Sequence, residues 1–164
     1  MKQRNFLMAG GGTGGHVIPG LAVARELRAR GHEVTFVGTE HGIEAKLVPA
    51  AGFKLEKIEI GGLKSVGLRR RFNTLARLPI ATFSSHRTTR AVSAVFSMGG
   101  YVAGPPVLAA IFRRIPVVVM EPNAVPGFTN RSISRLVARA LVSFPETAAF
   151  FPRGRTEVTG LPVR

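Results

Sequence analysis

A glycine-rich loop followed by one histidine is the part of this sequence best suited to chemistry. Five of the six residues from 10 to 15 are glycines, and His16 comes directly after them. A short apolar run precedes the loop and a helical pattern follows it. Glycine lets a ligand approach main-chain N–H groups closely, and a helix start adds unpaired donors and a positive dipole end. The segment predicts a phosphate or diphosphate site with His16 as a candidate base, the alternative being a mere helix-start residue.

Two later segments also carry residue types that suit binding. Residues 97–106 place Gly99, Gly100 and Tyr101 between an apolar strand and a helix that begins with proline. Tyr101 could stack on a sugar, donate a hydrogen bond or cap the core. Residues 121–127 carry Asn123, whose amide both donates and accepts. Either glycine loop alone could be an ordinary turn, but two on adjacent strands can enclose a diphosphate.

Apolar runs alternate with helical patterns along the chain, which predicts an α/β fold. Expected strands cover residues 5–9, 33–38, 53–60, 94–98, 116–121, 140–144 and 156–159. Expected helices cover about 17–30, 42–51, 72–92, 105–113, 127–138 and 146–150. Strands this rich in Val, Ile and Phe are typical of a Rossmann-like parallel sheet with helices on both faces. In such a sheet all three loops would lie at the carboxyl ends of the strands.

The composition describes one globular domain, residues 1–164, long enough for a core of its own. Cysteine is absent, which excludes disulfides, thiolate metal sites and a cysteine nucleophile. The first apolar stretch is too short for a signal peptide. Residues 91–112 are uncharged, but Gly and Pro interrupt them repeatedly, so no membrane span is expected.

The charge is strongly positive and unevenly distributed. The net charge is +14, all nine acidic residues are Glu, and none lies between Glu59 and Glu121. Such a domain is expected to bind polyanions: nucleic acid, anionic lipid or a phosphorylated substrate. Part of the charge could also be plain solvated surface. Aromatic residues are 7% of the chain and tryptophan is absent, which argues against a nucleic-acid partner because bases stack on aromatic side chains.

An alternative interpretation is a dinucleotide-binding oxidoreductase domain. Gly10, Gly12 and Gly15 match the spacing of that fingerprint, and Glu40 stands near the end of the second strand as a ribose ligand. The remaining glycines and His16 depart from the pattern, because a bulky polar residue then lies at the start of the helix.

Taken together, the motifs resemble the MurG family of bacterial glycosyltransferases. The likeness rests on Gly-Gly-Thr-Gly-Gly-His at 11–16 with Pro-Gly-Leu-Ala at 19–22, Met-Gly-Gly-Tyr-Val at 98–102 with Gly-Pro at 104–105, Pro-Val-Val at 116–118 with Asn123, and Pro-Val-Arg at 162–164. It runs end to end but covers only the amino-terminal, acceptor-side half of such an enzyme. Met120 and Pro122 stand where the family commonly has His and Gln, so neither can play a family role.

The resemblance implies half of a GT-B type fold and an inverting transfer that needs no metal and no cofactor. N-acetylglucosamine would move from UDP-N-acetylglucosamine to lipid I, the undecaprenyl-diphosphate-linked acceptor, giving lipid II for peptidoglycan. His16 is the best base in this half, since Asp is absent and the Glu residues are expected mostly in helical or outer positions. Donor contacts would be Thr13, Gly14, Gly15, Asn123 and Arg164; acceptor contacts would be Gly11, Gly12, Gly99, Gly100 and Tyr101.

The resemblance also implies a peripheral enzyme on the cytoplasmic face of the bacterial plasma membrane. Apolar and basic residues interleave between positions 63 and 90, which suits attachment to an anionic bilayer, although some of them would face the core. The contact residues expected there are Leu63, Leu68, Arg69, Arg70, Arg71, Phe72 and Leu75. The carboxy-terminal donor domain is expected to be absent from this chain, which alone would then be inactive.

Overall fold

The computed structural model describes residues 2–58 and 92–162. In these ranges the strands are β1 (Asn5–Gly10), β2 (Glu33–Gly38), β3 (Lys54–Lys57), β4 (Ala94–Gly99), β5 (Val117–Glu121), β6 (Arg139–Val142) and β7 (Thr156–Val158). They form one parallel sheet in the order β3-β2-β1-β4-β5-β6-β7. The predicted parallel α/β sheet is confirmed, and each strand lies within three residues of its predicted bounds.

The helices of the described residues are α1 (Gly14–Ala29), α2 (Glu44–Ala50), α3 (Gly104–Phe112) and α4 (Phe128–Ile133). Short 3₁₀ turns cover Tyr101–Ala103, Ser134–Leu136 and Pro145–Phe150. None of these helices is long and apolar enough to cross a membrane. The predicted helix 72–92 lies almost entirely outside the described residues.

Two predicted helices differ from the structure by three or more residues at one end. Helix α1 begins at Gly14, three residues before its predicted start, so His16 belongs to its first turn. The predicted helix 127–138 is too long, because α4 ends at Ile133 and a 3₁₀ turn follows. Val137, which is buried and β-branched, takes extended backbone and leads the chain into β6.

Both faces of the sheet are covered by apolar packing. Alternate residues of β1 point to opposite faces: Leu7 and Ala9 join one core cluster, and Met8 joins the other. Helix α1 contributes Val17 to the cluster of Met8, whereas α3 contributes Val107 to the cluster of Leu7. Burial on both faces fixes the strands in register and therefore fixes where each loop leaves the sheet.

Candidate functional site

The three predicted loops meet at one edge of the sheet. Strands β1, β4 and β5 are consecutive neighbours and parallel, so the loops that follow them leave the same edge. A register shift at the end of β1 aligns Gly10 with Gly99, which sets the two glycine loops side by side. This confirms the placement expected from the sequence.

The first loop leads directly into α1. Gly12 has a φ of +83°, a left-handed conformation that favours glycine, and Thr13 is the N-cap residue. The Thr13 side chain makes no capping hydrogen bond to the helix; its Oγ1 lies 2.9 Å from Nδ1 of His16. Gly14 is half-buried, and Thr13 and Gly15 are exposed. The amino-terminal end of α1 therefore opens to solvent beside His16, as an anion site requires.

The ring of His16 lies against the second glycine loop. A Cβ on Gly99 would stand 3.3 Å from His16 Nε2, and a Cβ on Gly100 would stand 3.4 Å from His16 Nδ1. Gly99 and Gly100 have φ values of +85° and +79°, and a Cβ on Gly100 would also lie 2.7 Å from the carbonyl oxygen of Gly11. Glycine is thus required at position 100 both for its conformation and for the close approach of the two loops.

Tyr101, in the second glycine loop, lies close to Gly12 of the first loop. Its ring packs against the core cluster of Leu7, and its Cε1 would lie 3.0 Å from a Cβ on Gly12. The side chain is half-buried. Of the roles considered from the sequence, this packing matches the core cap, and the exposed part of the ring leaves contact with a ligand open.

The third loop is held by a buried carboxylate. Glu121, at the end of β5, is 1% exposed. Its Oε1 accepts from the backbone N–H and the side-chain amide of Asn123, at 3.0 and 2.8 Å. Its Oε2 accepts from Gly127 N at 3.2 Å and from Asn130 Nδ2 at 2.9 Å. Asn123 is itself exposed. Glu121 therefore fixes the orientation of an amide that solvent can reach.

Asn130 extends this network below the second loop. It is 1% exposed, and its Oδ1 accepts from Ser97 Oγ at 3.0 Å. The next residue back, Thr129, donates its hydroxyl to the carbonyl of Gly100 at 2.9 Å. The start of α4 therefore holds the second and third loops together.

Most Glu residues of the described ranges lie in helical or outer positions, as expected, but two of them are buried, which the sequence did not predict. Glu44 begins α2 but is 0% exposed, and Glu121 lies inside the sheet. Burial alone would raise the pKa of Glu44. The carboxylate accepts hydrogen bonds from the N–H groups of Gly12, Thr39 and Glu44 itself and from the Thr39 hydroxyl. Together these lower the pKa by more than burial raises it, so it lies below its ordinary value. Glu44, Glu121, Asn130 and Ser97 were not identified from the sequence.

Glu40, the ribose ligand of the dinucleotide alternative, is exposed and pairs with Lys57 at 3.0 Å. That hydrogen bond and the charge of Lys57 lower the pKa of Glu40. Within residues 2–58 and 92–162 no three His, Cys, Asp or Glu side chains are grouped as metal ligands would be. Arg164 and the expected membrane residues between 63 and 90 lie outside the described residues.

The amino-acid sequence from residue 6 to residue 142 matches the family model described as the glycosyltransferase family 28 N-terminal domain. The chain belongs to this family. Family 28 membership favours the transferase interpretation over the dinucleotide-binding one.

Family 28 relatives and a solved structure agree with this assignment. A UDP-N-acetylglucosamine–N-acetylmuramyl-(pentapeptide) pyrophosphoryl-undecaprenol N-acetylglucosamine transferase of Solibacter usitatus is 74% identical over 98% of this chain and 44% of its own length. A relative of the same name from Anaeromyxobacter sp. strain Fw109-5 is 48% identical over 97% of the chain and 43% of its own length. The chain therefore spans under half the length of these curated relatives.

The crystal structure of Acinetobacter baumannii MurG superposes with a TM-score of 0.84 at 38% identity, covering 97% of this chain and 46% of that one. The calicheamicin glycosyltransferase CalG4 shares the fold at 17% identity and a TM-score of 0.65. The predicted likeness to MurG and the predicted GT-B type half-fold are both confirmed.

Proposed function

We propose that this chain is the amino-terminal, acceptor-side half of an N-acetylglucosaminyltransferase that converts lipid I to lipid II in peptidoglycan synthesis. The observation that carries the proposal is the convergence of His16 and two glycine loops at the open end of α1. The name of the 74% identical relative supplies the substrates: a UDP-N-acetylglucosamine donor and an undecaprenyl-diphosphate-linked acceptor.

The reaction needs a base and a stabilised leaving group. The C4 hydroxyl of the acceptor sugar attacks the anomeric carbon of the donor, its proton passes to Nε2 of His16, and the bond to UDP breaks with inversion. The negative charge that develops on the departing diphosphate is stabilised by the amino-terminal dipole of α1 and by the N–H groups of Gly14 and Gly15. No step in this scheme requires a metal ion or a cofactor.

The loops divide the two substrates between them. Thr13, Gly14 and Gly15 lie at the exposed helix start and would contact the donor diphosphate. Asn123, oriented by Glu121, would contact the donor together with Arg164, whose planar guanidinium suits a diphosphate or a ribose edge.

The acceptor would lie between the glycine loops. Gly99, Gly100 and Tyr101 would bound its diphosphate or sugar on one side, and Gly11 and Gly12 on the other. The N–H of Gly12 already donates to Glu44 at 2.9 Å, so Gly12 would contribute close approach rather than a hydrogen bond. This refines the expectation of an anion cradle: the available donors are those at the start of α1.

A lipid-linked acceptor requires the enzyme to reach a bilayer. We propose peripheral attachment to the cytoplasmic face of the plasma membrane through the segment 63–90, whose mixture of apolar and basic residues suits anionic headgroups. The remaining donor contacts would come from a carboxy-terminal domain, because family 28 relatives are more than twice as long as this chain.

The direct test is transfer of labelled N-acetylglucosamine from UDP-N-acetylglucosamine to a lipid I analogue by the full-length protein that contains these residues. The expected result is a lipid II product whose formation depends on His16 and continues in EDTA. Protection of the protein from thermal unfolding by NAD or FAD, with no effect of UDP-N-acetylglucosamine, would overturn the proposal and restore the dinucleotide alternative.

A further inference from the structure

The carboxylate of Glu44 joins two loops that are far apart in sequence. Its Oε2 accepts from the backbone N–H of Gly12 at 2.9 Å. Its Oε1 accepts from the backbone N–H of Thr39 at 2.9 Å and from the Thr39 hydroxyl at 2.8 Å. One carboxylate oxygen therefore serves the loop after β1 and the other serves the loop after β2.

The site around Glu44 is built for a carboxylate. The side chain is 0% exposed, and none of the ion pairs among the described residues includes it. A Cβ on Gly11 or on Gly38 would lie 2.5 Å from an atom of the Glu44 side chain, and a Cβ on Gly42 would come closer still. Three glycines from different segments thus leave the room that the buried carboxylate occupies.

This arrangement gives Gly11 a role other than ligand approach. The Glu44 carboxylate fills the space that a side chain at position 11 would need. The backbone N–H of the next residue, Gly12, donates to the same carboxylate. Gly12 also has a φ of +83°, and a Cβ there would lie 3.0 Å from Cε1 of Tyr101. Glu44 therefore holds the residue from which the chain turns into Thr13 and α1.

We infer that Glu44 is a positioning residue for the transfer reaction: its buried carboxylate fixes the Gly12 backbone and thereby the placement of Thr13 and His16. This inference rests on the proposed function. Glu44 itself contacts no substrate, since three glycines and Thr39 enclose it. A misplacement of a catalytic group by about 1 Å can lower the rate by about a hundredfold, so a residue with this role affects turnover strongly.

Glu44→Gln is the discriminating substitution. An amide of the same shape offers one acceptor oxygen and one NH₂ group, so an NH₂ must face the N–H of either Gly12 or Thr39. Because Thr39 supplies two donors, we expect the oxygen to remain with Thr39 and the contact with Gly12 to be lost. Glu33→Gln is the matched control, because Glu33 is exposed at the start of β2, at the opposite edge of the sheet.

The experiment combines NMR of this chain with kinetics of the full-length transferase. In Glu44→Gln we expect shifted amide resonances for residues 12–16 and a kcat lower by about ten- to a hundredfold per folded molecule, with a smaller change in either KM. Glu33→Gln should match the parent in both measurements. A folded Glu44→Gln protein with unshifted amides at 12–16, or with a kcat within twofold of the parent, overturns the inference.

Two further arms keep the result decisive. If Glu44→Gln does not fold, Thr39→Val removes one donor and keeps the charge; we expect a partial loss of kcat that Thr39→Ser restores, and a parental kcat in Thr39→Val overturns the inference. If the parent enzyme transfers no N-acetylglucosamine, the proposed function is what fails. The amide shifts at 12–16 and the ¹⁵N shifts of the His16 ring then decide whether Glu44 positions this loop.

Discussion

The hydroxyl of Thr13 lies 2.9 Å from Nδ1 of His16. When Nδ1 carries the proton and donates to Thr13 Oγ1, the lone pair of His16 is on Nε2, the nitrogen that faces Gly99 between the two loops. In that tautomer His16 can accept a proton from an acceptor hydroxyl. The pair also explains why Thr13 does not cap α1, since its side chain is directed to the ring.

Substitutions at this pair should separate catalysis from orientation. His16→Ala should lower kcat by about 10²- to 10⁴-fold with less effect on KM, as removal of a general base does. Thr13→Val removes a hydrogen bond worth about 1 kcal/mol, so kcat should fall about fivefold, and Thr13→Ser should stay near the parent. Steady-state kinetics with both substrates varied provide the measurement. A His16→Ala effect below about tenfold would assign the base to another group.

Gly100 should tolerate alanine far less well than Gly154, another glycine with a positive φ. Gly100 and Gly154 both have a φ of +79°, but a Cβ on Gly154 meets nothing within 4 Å, whereas one on Gly100 meets the Gly11 carbonyl oxygen at 2.7 Å. Gly154→Ala should cost about 1–2 kcal/mol for its backbone conformation alone. Gly100→Ala should cost at least about 1 kcal/mol more, because the loops must separate.

Urea unfolding of the two alanine variants at neutral pH measures this difference. The slope of free energy against urea should be the same in both, so that the midpoints can be compared directly. Equal losses of stability would show that the first and second loops do not approach as closely as the structure indicates.

The stability of the chain in acid should depend on Glu44. Its pKa is lowered in the folded state, so its contribution is fully present above the ordinary pKa of Glu, about 4.3, and is lost as the pH falls through the folded pKa. The free energy of unfolding of the parent should therefore decrease more steeply below about pH 4 than that of Glu44→Gln. Urea unfolding from pH 7 to pH 3 checks the prediction, and parallel curves would contradict it.

Glu40→Gln is the matched control for that experiment. The pKa of Glu40 is also lowered, by the hydrogen bond and charge of Lys57, but this pair is exposed. Salt screens exposed ion pairs strongly and buried groups little. In about 0.5 M NaCl, Glu40→Gln should therefore no longer change the acid dependence of stability, whereas Glu44→Gln should still change it.

Alternation of buried strands and helices was sufficient to predict the fold and to place His16, Gly99 and Asn123 at one edge. Ligands bind at the carboxyl ends of the strands in a parallel sheet. To apply this rule, only the strand order and the ends of β1, β4 and β5 are needed. The membrane segment and Arg164 stay predictions, since they lie outside the described residues.

The buried carboxylates could not be predicted in the same way. Glu44 looks like an ordinary acidic residue in the first turn of a helix, and only the folded chain brings Gly11, Gly38 and Gly42 around it. Glu121 gave a weak signal: it directly continues the apolar run of β5, where a charged residue is unusual unless it is paired. Its partners Asn123 and Asn130 follow too irregularly in sequence to be identified from spacing.

The 164-residue chain alone should transfer no N-acetylglucosamine. Its curated relatives are more than twice as long, and the matching family model is that of an N-terminal domain. A single domain leaves the leaving group open to water and supplies only part of the donor contacts. The labelled-sugar assay with purified chain tests this, and addition of the remaining part of the protein in trans is the positive control. Turnover by the chain alone would contradict the division of substrates proposed above.

Reversing three consecutive charges in the segment 63–90 should release the domain from anionic bilayers. Each Lys or Arg near such a surface contributes about 1 kcal/mol, so Arg69→Glu/Arg70→Glu/Arg71→Glu should weaken binding by at least about two orders of magnitude. Co-sedimentation with vesicles containing anionic lipid, at low and high salt, measures the change. The parent should bind neutral vesicles only weakly, because the apolar residues of the segment act together with its cations.

A second triple variant separates the location of the charge from its amount. Arg25→Glu/Arg135→Glu/Arg153→Glu changes the net charge equally, at three exposed arginines outside the segment 63–90. If the segment docks on the membrane, this control should keep most of the parent's affinity, since only charges within about a Debye length of the surface contribute. Equal losses in the two variants would mean that net charge alone drives binding. Parental binding by the first variant would place the membrane contact outside Arg69–Arg71.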